Sequence, residues 1–218
     1  MGKKIAVVLS GCGFKDGSEI HESVTTILAI VKAGAEPIFF APDTNQAMVV
    51  NHVTGDTLGE SRNVLSEAAR IARGAIEDIK NLTAASADAV IFPGGFGAAL
   101  NLCDFGKKGA DCTVNPEVER VVKEFHGASK PLGLICIAPV IGAKVLGGVG
   151  VELTIGNDKG TAEALEKCGA KHVDCAVDDI HVDEKNRVVT TPAYMLAENI
   201  AQVDVGVSKL VNQIIAMM

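Results

Sequence analysis

Short apolar runs alternate with segments of helical periodicity along this chain of 218 residues. Each run has the length of a buried strand, and we predict strands at residues 4–10, 36–42, 88–93, 131–136 and 151–156. Such alternation is typical of a mostly parallel sheet that is covered by helices on both faces. The sequence therefore predicts an α/β fold, in which ligands bind beyond the carboxyl ends of the strands.

The spacing of apolar residues predicts helices between these strands. The first helix begins after residue 18, and we expect it to turn Ile20, Val24, Ile27, Leu28 and Val31 toward the core. Further helices are expected over residues 61–80, from Pro116 after its Asn115 cap, after the strand at 131–136, over 161–169 and from Ile200 to the C-terminus. Residues 180–190 are predicted to form a hairpin. We expect one domain over residues 1–218, with residues 43–60 as an excursion inserted near the site.

Composition and charge exclude several classes of function. A net charge of −7 argues against nucleic-acid binding. The apolar stretch Ile5–Leu9 has only five residues, fewer than the roughly 7–15 of a secretion signal, and no apolar run reaches the roughly 18 of a membrane span. The six cysteines form no CxxC pair that would indicate a zinc site. We therefore expect a cytoplasmic protein with free thiols, no metal and no membrane partner.

One cysteine lies at the predicted junction of a strand and a helix. In the stretch GLICIAPVIG, Cys136 ends the apolar run and precedes the next helix. A nucleophile at such a turn is held above the sheet, and a helix N-terminus lowers the pKa of a nearby thiol. The pattern is equally consistent with a cysteine that is simply the last buried residue of its strand.

The loop PGGFGA follows the predicted strand at 88–93. Consecutive glycines allow backbone N–H groups to approach a ligand, so Gly95 and Ile137 are candidates for the two donors of an oxyanion hole. The alternative is an ordinary turn that needs positive φ. The loop is not a phosphate-binding P-loop, because no Lys-Ser/Thr pair follows it.

A carboxylate is predicted at the same edge of the sheet. Glu22 lies in the first turn of the helix after the first strand. Beside a thiolate, burial and like charge would raise the pKa of this carboxyl, and the protonated form can donate a hydrogen bond to sulfur and move protons. An exposed first-turn glutamate is the alternative, and His21 is expected to pack or cap rather than react.

A dinucleotide-binding loop is a weaker interpretation of the segment after the first strand. Gly11, Gly13 and Gly17 depart by one residue from the G-x-G-x-x-G fingerprint. Asp43 stands about where a ribose-binding acid would lie, but Pro42 precedes it, and Lys15-Asp16 crowd the loop. We therefore expect no nicotinamide cofactor.

Several longer motifs support the thiol interpretation. The order SGCG-x-x-DGSEIHE, NH-x-TG, RNVL-x-EAARI-x-RG, PGGFGAA-x-NL, PLG-x-x-CIAP, LTIG-x-D and VTTPAYMLAENIA covers almost the whole chain. It resembles the glyoxalase ElbB family, also called enhancing-lycopene-biosynthesis or sigma-cross-reacting proteins, within the PfpI and class I glutamine amidotransferase-like superfamily. The resemblance implies a flavodoxin-like three-layer sandwich, a reactive Cys136 and a Glu22 within reach of it.

The resemblance also implies Gly95 and Ile137 as oxyanion donors, activity without a cofactor, and a homodimer. Two features depart from the superfamily pattern. Many members carry a triad histidine where Gly156 stands here, and His172 and His181 come too late to align with it; Leu134 stands where a small residue is usual. The residues that we expect to line the substrate site are Gly94, His21, Asn51, His52, Asp158 and Tyr194.

The expected function is that of a glutathione-independent glyoxalase, a lyase that converts glyoxal to glycolate, or methylglyoxal to lactate, through a hemithioacetal on Cys136. The resemblance associates it with isoprenoid biosynthesis. A thiol redox sensor or regulatory partner protein is the alternative. A glutamine amidotransferase module would need a synthase partner and a catalytic histidine that the sequence does not show.

Overall fold

The structure is a computed structural model that describes residues 2–218. The strands are β1 (Lys4–Val8), β2 (Glu36–Ala41), β3 (Val49–Val50), β4 (Thr57–Leu58), β5 (Ile76–Asp78), β6 (Ala89–Phe92), β7 (Leu132–Ile135), β8 (Glu152–Leu153), β9 (Lys171–His172), β10 (His181–Asp183) and β11 (Val188–Thr191). The α-helices are α1 (Ile20–Lys32), α2 (Val64–Ile71), α3 (Phe96–Leu100), α4 (Phe105–Lys108), α5 (Pro116–Gly127), α6 (Pro139–Leu146), α7 (Lys159–Lys167) and α8 (Ile200–Met217).

Seven of these strands form the central sheet, in the order β10-β11-β7-β6-β1-β2-β5. All neighbours pair in parallel except β10 and β11, which form the antiparallel hairpin predicted at residues 180–190. The carboxyl ends of β1, β6, β7 and β11 therefore meet at one edge of the sheet. This edge is where the sequence predicted a site.

Two separate cores cover the two faces of the sheet, because successive strand residues point in opposite directions. Ala6 and Val8 of β1 pack in one core with α5, α6 and α7. Ile5 and Val7 of the same strand pack in the other core with α1, α2 and α8. The result is a helix–sheet–helix sandwich, and the predicted flavodoxin-like α/β fold is confirmed.

The helix predicted over residues 61–80 is only partly correct. α2 ends at Ile71, because Arg73 and Gly74 adopt positive φ angles of 54° and 83° that stop a right-handed helix. The chain then returns as β5, which pairs with β2 at the edge of the sheet. Ile76 and Ile79 have helical spacing from Ala72, but they belong to this strand and to the turn after it.

The predicted inward stripe of α1 is wrong. Ile20, Val24, Leu28 and Val31 are 42–56% exposed, and the buried face consists of Glu22, Ser23, Thr25, Thr26, Ala29 and Ile30. Three of these polar side chains are satisfied within the helix, since their hydroxyls donate to carbonyls one turn earlier: Ser23 to Glu19, Thr25 to His21 and Thr26 to Glu22. Local hydroxyl bonding thus allows a polar face to pack inward and leaves the apolar stripe, Ile20/Val24/Leu28/Val31, on the surface.

Two short ribbons lie outside the central sheet. The predicted strand at 151–156 is reduced to β8, which pairs with β9 rather than joining the sheet. Residues 43–60 contain the β3–β4 ribbon. The six cysteines are all free thiols. Among the helices of residues 2–218, none combines the length and the apolar character that crossing a membrane requires.

Candidate functional site

The turn after β7 presents the thiol of Cys136. Cys136 has a φ of 62°, a left-handed conformation that is uncommon for a residue with a side chain. Its N–H donates to the Thr191 carbonyl at 2.9 Å, and Pro139 opens α6 three residues later. The hydrogen bond across to β11 and the immediate start of a helix hold the strained residue at the carboxyl edge of the sheet. This is the sharp strand-to-helix turn that the sequence predicted.

The backbone N–H groups of Gly95 and Ile137 lie beside the Cys136 sulfur, where they lower the pKa of the thiol. Gly95 has a φ of 92°, and a Cβ at this position would lie 2.5 Å from the Gly17 carbonyl oxygen and would also collide with Glu19 N. Only glycine therefore fits between the sulfur and the loop after β1. The geometry brings together the two donors that the sequence singled out.

Glu22 lies at the bottom of the same site and is completely buried. Its carboxylate accepts the Gly94 N–H at 2.9 Å and the Tyr194 N–H at 3.2 Å, and it lies close enough to the Cys136 thiol to change the thiol's pKa. A Cβ at Gly94 would lie 2.5 Å from the Cys136 Cβ and 2.7 Å from Glu22 Oε2. Gly94 is thus the point of close approach that lets the thiol and the carboxyl meet.

Burial dominates the ionisation of this pair. It raises the pKa of Glu22 to about 7, with a further increase from the charge of Glu19. Burial also raises the pKa of Cys136, and the charge of Glu22 adds to the effect, while the N–H groups of Gly95 and Ile137 act in the opposite direction. The predicted lowering of the thiol pKa by the helix N-terminus is outweighed here. Near pH 7 the thiol therefore keeps its proton, and Glu22 is the member of the pair that titrates.

A cavity of about 740 Å³ opens above the thiol. It is lined by Phe14, Glu19, His21, Gly95, Phe96, Cys136, Ile137, Thr161, Tyr194 and Met195. On its wall, His21 Nδ1 and the Tyr194 hydroxyl are joined by a hydrogen bond of 2.7 Å. His21 and Tyr194 are two of the residues that the sequence analysis proposed for the lining.

The other four proposed lining residues do not line this cavity. Gly94 lies behind the thiol, where its N–H binds Glu22. Asp158 caps α7 by accepting the Thr161 N–H. Asn51 caps a turn of the β3–β4 ribbon, and His52 packs edge-on against the Phe14 ring. Asp158 and His52 therefore do not line the cavity themselves, but each contacts a residue that does: Asp158 contacts Thr161, and His52 contacts Phe14.

Sequence reasoning missed the apolar wall of the cavity, which Phe14, Phe96 and Met195 form. Phe14 lies in the Gly-rich loop after β1, and Phe96 opens α3 directly after the Gly-rich turn that follows β6, so neither belongs to a periodic apolar stripe. An aromatic residue directly after a Gly-rich turn at the carboxyl edge of the sheet could have indicated a residue of the cavity wall. Glu19 was also missed: it caps α1 by accepting the Glu22 N–H and lies on the cavity wall.

The two histidines that follow Cys136 in the sequence, His172 and His181, do not line the cavity. His172 Nε2 contacts the Ile155 N–H, and His181 pairs with Glu152 at 3.2 Å. His21 is the histidine on the cavity wall. Within residues 2–218, no group of three or more His, Cys, Asp or Glu side chains is arranged to hold a metal ion.

Comparison with curated proteins identifies relatives over almost the full chain. The "Glutamine amidotransferase-like class 1 domain-containing protein 3, mitochondrial" of Homo sapiens is 51% identical over 98% of this chain and 83% of its own length. The "ES1 protein homolog, mitochondrial" of Rattus norvegicus is 50% identical over 98% and 84%, and the "ES1 protein, mitochondrial" of Danio rerio is 38% identical over 88% and 76%. No protein-family model matches the chain.

Solved structures with the same fold include one relative that matches over almost the whole chain. An isoprenoid biosynthesis protein with an amidotransferase-like domain from Ehrlichia chaffeensis is 35% identical, covers 99% of this chain and 100% of its own, and superimposes with a TM-score of 0.92. The DJ-1beta protein of Drosophila melanogaster is 16% identical with a TM-score of 0.55, over 100% and 96% of the two chains, and shares the fold.

The names of the curated relatives correct one expectation. The sequence analysis expected a cytoplasmic protein, from a first apolar stretch that is too short for a secretion signal. All three relatives are named as mitochondrial proteins. The cytoplasmic expectation is therefore wrong. A test for a secretion signal does not address import into an organelle, which relies on different, amphipathic leader segments.

Proposed function

The chain belongs to the family of glutamine amidotransferase-like class 1 domain-containing proteins, and on this premise we propose that it is a cofactor-independent glyoxalase of the ElbB type. The observation that supports the proposal is the approach of the buried Glu22 carboxyl to Cys136 at Gly94, beside the N–H groups of Gly95 and Ile137, which lower the pKa of the thiol. This arrangement supplies a nucleophile, one acid/base group and an oxyanion site in one place.

The proposed reaction begins with proton transfer from the Cys136 thiol to Glu22. The thiolate adds to one aldehyde carbon of glyoxal, the oxyanion accepts the N–H groups of Gly95 and Ile137, and Glu22 returns the proton to give a hemithioacetal. Glu22 then removes the proton on that carbon and delivers it to the second carbon through an enediol, which leaves a thioester. Water hydrolyses the thioester to glycolate and frees the thiol; methylglyoxal would give lactate.

An internal proton transfer needs a single well-placed acid/base group, and a pKa near 7 suits Glu22 to both taking and giving a proton. Amide hydrolysis would also require a donor for the leaving amine, the role of a triad histidine. The positions of His172 and His181 therefore favour the glyoxalase over a glutaminase. The printed name of the Ehrlichia relative supports a proposed link of this chain to isoprenoid biosynthesis.

Turnover without glutathione tests the proposal. Wild-type protein is expected to consume glyoxal and form glycolate, and Glu22→Gln is expected to reduce kcat by about 10²–10⁴-fold, because the amide cannot carry the proton. Glycolate formation measured by chromatography gives the result. In parallel, oxidation of the Cys136 thiol by hydrogen peroxide is followed by mass spectrometry. A thiol sensor, the competing function, would show oxidation in both proteins and no glycolate from the wild type.

We also propose that the chain is a single domain that acts as a homodimer. Residues 43–60 then form an insertion beside the site, where His52 of the β3–β4 ribbon supports the cavity residue Phe14. The exposed α1 stripe, Ile20/Val24/Leu28/Val31, begins next to His21 on the cavity wall, and a contiguous apolar surface of this kind favours contact with a second copy.

Light scattering tests the dimer. Leu28→Asp places a charge in the middle of the α1 stripe and is expected to halve the measured mass at a protein concentration at which the wild type is dimeric. Val53→Asp is the matched control, because Val53 is 94% exposed and lies outside the stripe. A wild-type mass of one chain, or equal masses for wild type and Leu28→Asp, would rule out a dimer through this stripe.

A further inference from the structure

The cavity above Cys136 is much larger than glyoxal. Glyoxal has four non-hydrogen atoms, which occupy about 120 Å³ even if each is given about 30 Å³, the share of one water molecule in the liquid. The cavity volume of about 740 Å³ lies in the range of sites that enclose considerably larger organic ligands. Glyoxal, the smallest dicarbonyl, would therefore fill only a small part of this cavity.

The wall of this cavity is aromatic in a chain that has few aromatic residues. Only eight of the 218 residues are Phe or Tyr, and none is Trp. Three of the eight, Phe14, Phe96 and Tyr194, line the cavity. The other five, Phe39, Phe40, Phe92, Phe105 and Phe125, belong to the two cores or pack against them.

Phe14 and Phe96 are also exposed, by 45% and 56%, although they are large apolar side chains. Their loops are fixed to each other, since the Phe96 N–H donates to the Phe14 carbonyl at 2.8 Å. The Phe14 ring is supported edge-on by His52, with ring centroids 5.4 Å apart. Two exposed rings on a fixed support beside a nucleophile form a preorganised apolar surface, which the proton transfer itself does not use.

The charges at the site restrict the ligand further. Glu19 lies on the cavity wall and Glu22 lies beneath it. A carboxylate or phosphate on the substrate would be repelled by the Glu19 carboxylate and would also lose its hydration shell against the apolar wall. The site therefore favours a neutral carbonyl compound with an apolar group.

We propose that the substrate class is that of apolar 2-oxoaldehydes, with an aryl or branched alkyl group on the ketone carbon that packs against Phe14 and Phe96. The inference rests on the proposed function and extends it. The chemistry is unchanged and balanced: the sulfur adds to the aldehyde carbon, the aldehyde hydrogen moves as a proton to the ketone carbon, and water releases a 2-hydroxy acid. No oxidant or reductant is needed.

Phenylglyoxal, which would give mandelate, tests the class. We expect its kcat/KM to exceed that of glyoxal by about tenfold or more, since the phenyl ring gains contact with the aromatic wall. Phe96→Ala is expected to lower kcat/KM for phenylglyoxal by about tenfold more than it lowers kcat/KM for glyoxal. Val149→Ala is the control, because Val149 is an exposed apolar residue that does not line the cavity.

The outcomes separate this inference from the function on which it rests. Glycolate formed faster than mandelate, or equal losses for both substrates in Phe96→Ala, would overturn the apolar class and leave the glyoxalase in place. A change in oligomeric mass in Phe96→Ala without a change in phenylglyoxal kinetics would assign the ring to a subunit contact and would also overturn it.

A protein that forms neither product would fail as a glyoxalase, and ligand binding then decides the inference alone. Acetophenone, which lacks the aldehyde, is the probe, and its binding is followed by NMR. Binding that weakens in Phe96→Ala would support an apolar ligand site. Absence of binding to the wild type would overturn it.

Discussion

Cys136→Ala is expected to abolish glyoxal turnover, with a loss in kcat/KM of about 10³-fold or more. The thiol is the proposed nucleophile, and the methyl group of alanine cannot add to an aldehyde or form the thioester. Glu22 and the N–H groups of Gly95 and Ile137 stay in place, so any residual rate measures what the site achieves without a covalent intermediate. Glycolate formation over a range of glyoxal concentrations provides the measurement.

Cys12→Ala is the matched control for this experiment. Cys12 is a half-buried free thiol in the loop after β1, at the same edge of the sheet, but it does not line the cavity. Its substitution is expected to leave turnover within about twofold. Thermal unfolding of both variants confirms the fold, which matters because residue 136 keeps a strained φ of 62° with an alanine side chain. Equal turnover by wild type and Cys136→Ala would exclude the thiol mechanism.

The positions of the proposed catalytic groups were predictable because they follow from local sequence order. A strand end followed by a helix start places Cys136 at the carboxyl edge of a parallel sheet, and the glycines after β6 have to lie at the same edge. The first turn of α1 brings Glu22 there as well. The apolar runs indicated the order of strands and helices, and that order placed each residue; the family resemblance then favoured a reactive Cys136 over a merely buried one.

The orientation of α1 was not predictable in this way. A stripe at helical spacing indicates one apolar face, but it does not state which face meets the protein's own core and which meets a partner or solvent. In α1 the inward face is polar, and it is stabilised by hydroxyl groups that bond within the helix and by the Glu22 carboxylate that bonds to two backbone N–H groups. The apolar wall of the cavity was missed for a related reason, since Phe14 lies in a loop and Phe96 opens α3, a helix of only five residues that is too short to show periodicity.

The ionisation of the site also depended on burial that the sequence did not reveal. A helix N-terminus near Cys136 suggested a lowered thiol pKa, but the thiol and its carboxyl partner are both enclosed. Enclosure disfavours the charged form of each group. The sequence predicted the sign correctly for Glu22, where burial and like charge act together, and incorrectly for Cys136, where burial and the N–H groups act in opposite directions.

Glu22→Gln is expected to change how the stability of the protein depends on pH. Burial raises the pKa of Glu22 from 4.5 to about 7 in the folded state. Below pH 4.5 the carboxyl is protonated whether the chain is folded or unfolded, so its ionisation does not lower the free energy of unfolding. As the pH rises toward 7, the unfolded chain loses this proton first, the folded chain binds more protons than the unfolded one, and stability falls. The fall is complete above the folded pKa.

The size of this effect follows from the shift, which at 1.36 kcal/mol per pKa unit corresponds to about 3 kcal/mol. Glutamine does not ionise, so the free energy of unfolding of the variant does not show this fall with pH. The free energy of unfolding of Glu22→Gln minus that of the wild type, measured by urea denaturation, is therefore expected to increase by about 3 kcal/mol between pH 4 and pH 8. Titrating groups outside the site are common to both proteins and cancel in this difference. A difference that stays constant with pH would mean that Glu22 titrates alike in the folded and unfolded chain, and it would remove the physical basis for Glu22 as a proton carrier near pH 7.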